Sequence, residues 1–245
     1  MTSHSKLTSP PLKLVAIGDS LTEGVGDSRQ AGGYVPFVAE GLEKKTMQKV
    51  ETVNYGISGN TSQQILDRMT DKQAIQKNLK EADLMVLTAG GNDMRKVFMA
   101  HISDLSEEAF VQPQKEYGKR LATIIQTARK ENPSLPIYVV GIYNPYYLNF
   151  PDTQPIFDNW NHTTEEVAKA YDKVYFVPIN DLLYKGIDGR GGDISEVNGK
   201  TIIKNDALYS KDQFHPNDSG YQIMATAILE KINATISDWK ETNGN

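Results

Sequence analysis

Five short apolar runs, at residues 14–17, 50–54, 84–88, 137–142 and 174–179, recur along the chain at fairly regular intervals. Between them lie segments long enough for helices, with apolar residues at helical spacing. Tyr34, Val35, Val38 and Leu42 form one such stripe, Ile65, Leu66 and Met69 begin another, and Leu121, Ile124, Ile125 and Ala128 form a third. Ile223, Met224, Ala227, Ile228 and Ile232 mark a final helix. Apolar runs alternating with amphipathic helices require crossover connections, and hence a mainly parallel sheet covered on both faces. The expected fold is a three-layer α/β/α sandwich with five parallel strands.

The chain has 245 residues, enough for one well-buried α/β domain with insertions. The expected domain spans residues 12–240, with insertions near 93–113 and 184–211. Five glycines and the alternating stretch Lys200-Thr201-Ile202-Ile203 make the second insertion a loop with a small hairpin. Residues 1–11 read as a disordered leader or a remnant of expression, with no apolar core of a signal peptide. A net charge of −5 argues against a nucleic-acid partner. Zero cysteines exclude disulfides, thiolate metal sites and a cysteine nucleophile together. No cofactor or metal is expected: Asp188 and Asp193 lack the spacing of a Ca²⁺ loop, and no phosphate-binding glycine motif follows the first strand.

The first run breaks abruptly into Gly18-Asp19-Ser20. Ligands in open α/β sheets bind at the carboxyl edge of the strands, so the Ser20 hydroxyl is either a nucleophile there or merely the cap of the next helix. A serine nucleophile needs a base, an orienting acid and donors for an oxyanion. Of four histidines, His4 lies in the polar leader, and His101 and His162 suit surface or packing positions. His215 sits in Asp212-Gln213-Phe214-His215-Pro216-Asn217, just before the last helix. Asp212 can fold back to accept the Nδ1 proton, leaving Nε2 free to accept from Ser20. The same hexapeptide can also be a capped loop-to-helix junction. Gly59, after the second strand, and Asn92, after the third, supply candidate donors on the same edge; each also fits an ordinary turn. Four such features on one edge point to a single site.

These blocks resemble the GDSL or SGNH hydrolases, and the likeness spans roughly residues 12–231. Gly18-Asp19-Ser20-Leu21, Ile57-Ser58-Gly59-Asn60, Gly90-Gly91-Asn92-Asp93 and Asp212-x-x-His215 occur in the family's order. Residues 141–145 and 214–221 are similar to a Gram-positive branch of YpmR-like lipase/acylhydrolases. The resemblance implies a flavodoxin-like strand order, 2-1-3-4-5. It also implies Ser20 as nucleophile, Asp212 and His215 as acid and base, and Ser20, Gly59 and Asn92 as the oxyanion hole. An extracytoplasmic or cell-surface location is the expectation it brings.

The expected activity is cleavage of carboxylic esters through an acyl-Ser20 intermediate, in the manner of a lipase, lysophospholipase or thioesterase. The aromatic residues Tyr143, Tyr146, Tyr147, Phe150, Phe157, Trp160 and Phe214, with Met94, Val97, Phe98, Met99 and Ile102, are candidates for an acyl pocket and lid or for core packing. Tyr143, Tyr146 and Phe214 are the chosen substrate-binding residues. Carbohydrate O-deacetylation is the competing activity, since Tyr and Trp also stack on sugars. A non-catalytic cell-wall-binding module is the third reading, disfavoured by the intact Ser20, Asp212 and His215. The expected partner is a small-molecule or lipid ester, with transient contact to a membrane or cell-wall surface.

Overall fold

β1 (Leu12–Gly18) runs through the centre of the molecule, with Val15 and Ile17 facing one apolar layer and Leu14 and Ala16 the other. The computed structural model describes residues 9–241, so most of the expected leader lies outside the described residues. After β1 come α1 (Ser20–Glu23), α2 (Val35–Thr46), β2 (Val50–Gly56), α3 (Ser62–Asp71), α4 (Gln73–Glu81) and β3 (Leu84–Thr88). They are followed by α5 (Gly91–Ala100), α6 (Glu108–Ala128), β4 (Ile137–Val140), α7 (Gln154–Lys169), β5 (Val174–Val177) and α8 (Asn180–Leu183). A hairpin, β6 (Gly192–Val197) and β7 (Lys200–Asn205), precedes α9 (Asp218–Thr235).

The five main strands pair in parallel in the order β2-β1-β3-β4-β5, the three-layer arrangement expected. Ile65 and Met69 of α3, with Leu121, Ile124 and Ile125 of α6 and Phe157 and Trp160 of α7, fill the layer over Val15 and Ile17. Val35, Val38 and Leu42 of α2 and Met224, Ile228 and Ile232 of α9 fill the opposite one. Side chains on a strand alternate between faces, so each of these central strands contributes to both cores.

Two strands stop two residues short of their apolar runs. Ile142 gives its backbone N–H and C=O to the side chain of Asn161 instead of to a neighbouring strand. Pro178 has no N–H to continue the ladder beyond Val177. The stretch 93–113 is mostly helix, comprising most of α5, a short connection and the first turns of α6. The alternating stretch near residue 200 forms the expected hairpin.

Gly18 sits between its register partners Gly56 and Thr88. A Cβ there would lie 2.1 Å from Thr88 Oγ1 and 2.4 Å from the Thr88 carbonyl oxygen. Only glycine lets the first strand end this close to the third. Gly18→Ala is therefore expected to destabilise the fold by about 2 kcal/mol or more through overpacking, measured by urea unfolding; an unchanged midpoint would contradict the close approach.

Candidate active site

The turn after β1 is fixed by its own polar side chains. Asp19 caps α1, its Oδ1 accepting the Leu21 N–H at 3.0 Å and the Thr88 hydroxyl at 3.0 Å. Ser20 is therefore the first helical residue and not the cap, so its hydroxyl is left for other work. Its N–H belongs to the set that no intrahelical carbonyl can reach. Thr22 Oγ1 bridges Thr88 Oγ1 and the Tyr34 hydroxyl, closing the network beneath the turn. Burial pushes the Asp19 pKa up, against the hydrogen bonds from Leu21 and Thr88.

Residues far along the chain bring an imidazole to this turn. His215 Nε2 lies 3.0 Å from Ser20 Oγ, and His215 Nδ1 lies 2.6 Å from Asp212 Oδ2. The other Asp212 oxygen accepts the backbone N–H groups of Phe214 and His215. Burial of the Asp212 carboxyl opposes ionisation, but these hydrogen bonds and the imidazole outweigh it and hold its pKa below the usual carboxylate range. The loop itself is strapped down: Tyr209 N–H donates to the His215 carbonyl at 2.7 Å, and Asn217 N–H to that of Ala207. Gln213 Oε1 accepts from the Asn205 N–H at the end of β7, so the hairpin supports the loop that carries Asp212 and His215. Asn217 caps α9 by accepting the Gly220 N–H.

On the same edge, Gly59 lies exposed with φ +81° after β2, and its N–H donates to no protein group among the described residues. Asn92 stands in the first turn of α5 and donates through Nδ2 to the Asn60 carbonyl at 2.9 Å. Two charged side chains brace these segments. Asp93 accepts from Ser62 N–H at 2.8 Å, Ser62 Oγ–H at 2.6 Å and Arg120 at 3.1 Å. Arg68 of α3 reaches back to Asn60, Tyr55 and Gly18. Sequence reasoning missed Arg68 and Arg120, and it quoted Asp93 without giving it a role.

A cavity of about 50 Å³ opens beside Ser20. Met94, Phe98, Ile142, Phe157 and Val140 make most of its wall apolar. Tyr143, Tyr146 and Phe214 all line it. The Tyr143 hydroxyl donates to the Phe214 carbonyl at 2.6 Å, tying the wall to the His215 loop, and burial pushes its pKa far up. Tyr146 stacks on Phe98 with ring centroids 5.1 Å apart. The remaining aromatic candidates lie elsewhere: Trp160 is buried against Tyr117, Tyr147 packs on Tyr184, and Phe150 is exposed. Met99 and Ile102 are exposed, and Val97 packs against the core; none lines the cavity. His101 and His162 stand outside the cluster.

With this geometry in view, comparison with known proteins identifies the family. The profile of the GDSL-like lipase/acylhydrolase family matches residues 16–223. YpmR of Bacillus subtilis, an uncharacterised protein, is 33% identical over 94% of this chain and 85% of its own length. The spore germination lipase LipC of Bacillus licheniformis is 24% identical, covering 89% of this chain and 94% of its own. An acetylxylan esterase of Geobacillus stearothermophilus is likewise 24% identical, over 90% and 93%. The chain belongs to the GDSL-like lipase/acylhydrolase family and is an ester-hydrolysing enzyme.

The Asp93 brace generates a stability prediction. Asp93→Ala strips Arg120 of its carboxylate partner in a largely buried setting, and breaking such a pair costs about 3–5 kcal/mol when both members are fully buried. Arg120 is partly exposed, so the expected loss is about 2–3 kcal/mol by chemical denaturation; a change below about 0.5 kcal/mol would contradict the bracing role.

Proposed function

We propose that this enzyme cleaves carboxylic esters by acyl transfer to Ser20 and then to water. The observation that carries the reading is the unbroken series Asp212 Oδ2, His215 Nδ1, His215 Nε2 and Ser20 Oγ, each link within hydrogen-bond distance. Ser20 Oγ attacks the ester carbonyl as its proton passes to His215 Nε2. Asp212 holds the Nδ1 proton, which fixes the tautomer and stabilises the imidazolium that forms. Its depressed pKa keeps that carboxylate ionised as pH falls through the ordinary carboxylate range.

The tetrahedral oxyanion is received by the N–H groups of Ser20 and Gly59 and by Asn92 Nδ2. Collapse expels the alcohol, which takes the proton from His215. Water then repeats the sequence against the acyl-serine, with His215 first removing and later returning a proton. Donors fixed in advance are worth most here, because they need no reorganisation as charge develops.

For the substrate, the apolar wall beside Ser20 favours an acyl chain over a sugar. The cavity is narrow, about 50 Å³, which suits a short acyl chain. Carbohydrate O-deacetylation is the competing reading, and the acetylxylan esterase relative keeps it in play. A lipid-like ester would bring the enzyme transiently to a membrane or cell-wall surface. No described helix is long and apolar enough to cross a membrane.

Ser20→Ala is expected to abolish p-nitrophenyl ester hydrolysis, and Asn92→Ala to lower kcat by about 10²–10³ with KM little changed. Full activity in the first variant would move the nucleophile elsewhere; unchanged turnover in the second would remove Asn92 from the hole. Among acetate, butyrate and octanoate esters, butyrate is expected to give the highest kcat/KM. Acetate as the best substrate, together with release of acetate from an acetylated glycan, would favour the deacetylase instead.

A further inference from the structure

Arg68 is a half-buried cation with no carboxylate partner among the described residues, its pKa lowered by burial. Such a charge normally finds a counterion or reaches water. Here its guanidinium is spent on three uncharged acceptors from three separate segments. Nε–H donates to Asn60 Oδ1 at 2.8 Å, Nη1 to the Tyr55 carbonyl at 3.0 Å and Nη2 to the Gly18 carbonyl at 3.1 Å. Gly18 immediately precedes the Asp19-Ser20 turn, Tyr55 is the penultimate residue of β2, and Asn60 follows Gly59. Asn60 in turn accepts from Asn92 Nδ2 through its carbonyl.

We infer that Arg68 is a positioning residue for the oxyanion hole: it sets the distances among the Ser20, Gly59 and Asn92 donors. The inference rests on the proposed acyl-transfer reading of the site. The planar fork is what the task requires, since its N–H groups leave in fixed directions toward three acceptors. α3 is held at its other end by Thr61, whose side chain accepts from Gln64, and by Ser62, which bonds Asp93. The helix carrying Arg68 is thus anchored to the Asn92 segment before the guanidinium reaches across to the other two. None of the three hydrogen-bond acceptors of Arg68 lines the acyl cavity, and neither does Arg68. Its loss should therefore act on the transition state and spare ground-state binding.

The test compares Arg68→Met, Asn60→Ala and the double variant on p-nitrophenyl butyrate, with rates normalised to active sites titrated by a fluorophosphonate. Removing a donor outright costs about 10²–10³, so misplacing donors that remain should cost less. Arg68→Met is expected to lower kcat about 10- to 100-fold with KM within about twofold. The Ki of a trifluoromethyl ketone, which forms the tetrahedral oxyanion on the enzyme, should rise by a similar factor. Asn60→Ala should show the same pattern, and the double variant should fall short of the product of the two single losses, because both cut one connection. Arg68→Lys, which keeps the charge but not the fork, reads out the same loss if the methionine variant does not fold. A kcat per titrated site within threefold of the parent overturns the inference, as does strict additivity or a loss confined to KM. Ser20→Ala run alongside separates the failures: if that variant keeps hydrolysing the ester, the acyl-transfer reading itself falls.

Discussion

Parallel pairing is the constraint on which the site depends. Every strand of the main sheet ends on the same edge, so the segments leaving β1, β2 and β3 emerge side by side. The register is tight: Gly18 is opposite Gly56 on one side and Thr88 on the other. Two residues beyond Gly18 comes Ser20, three beyond Gly56 comes Gly59, and four beyond Thr88 comes Asn92. Backbone order thus delivers the serine and its candidate oxyanion donors to one edge, where side-chain hydrogen bonds of Thr88, Asn92 and Arg68 tie the segments together. The histidine comes from the other end of the chain, and its position depends on the strapping of residues 205–217 to one another and on Tyr143 beneath Phe214.

Much of this was legible in the sequence because the relevant signals are local. The five apolar runs and the helical stripes have periods set by backbone geometry, and they gave the layers and the strand count. The hydrogen bonds of Asp212 to the N–H groups of Phe214 and His215 span two and three residues, so Asp212 and His215 could be paired from spacing alone. Strand ends were less legible. Residues 141 and 142 continue an apolar run, but Asn161, nineteen residues beyond Ile142, takes the hydrogen bonds that a neighbouring strand would need.

The braces were invisible for the same reason. Arg68 looks like one polar residue on the outer face of an amphipathic helix, and Arg120 like another. What singles them out is the set of acceptors they reach, which come from segments up to 58 residues away. The pocket is an intermediate case. Tyr143, Tyr146 and Phe214 line the cavity that also holds Ser20, while Trp160 and Tyr147 pack against the aromatic neighbours Tyr117 and Tyr184. An aromatic-rich stretch does not say which rings face a ligand and which face each other; tertiary packing decides it, α6 against α7 for Trp160 and the Tyr184 segment for Tyr147.

The central claim is covalent: an ester leaves its acyl group on Ser20 before water removes it. Acid-quenching the enzyme within the first turnover of p-nitrophenyl butyrate and mapping the adduct by peptide mass spectrometry tests this directly. The account predicts a burst of p-nitrophenol matched by a butyryl group on the peptide containing Ser20. A butyryl group confined to another residue, or full turnover with no burst and no butyryl group on Ser20 at any quench time, would contradict it.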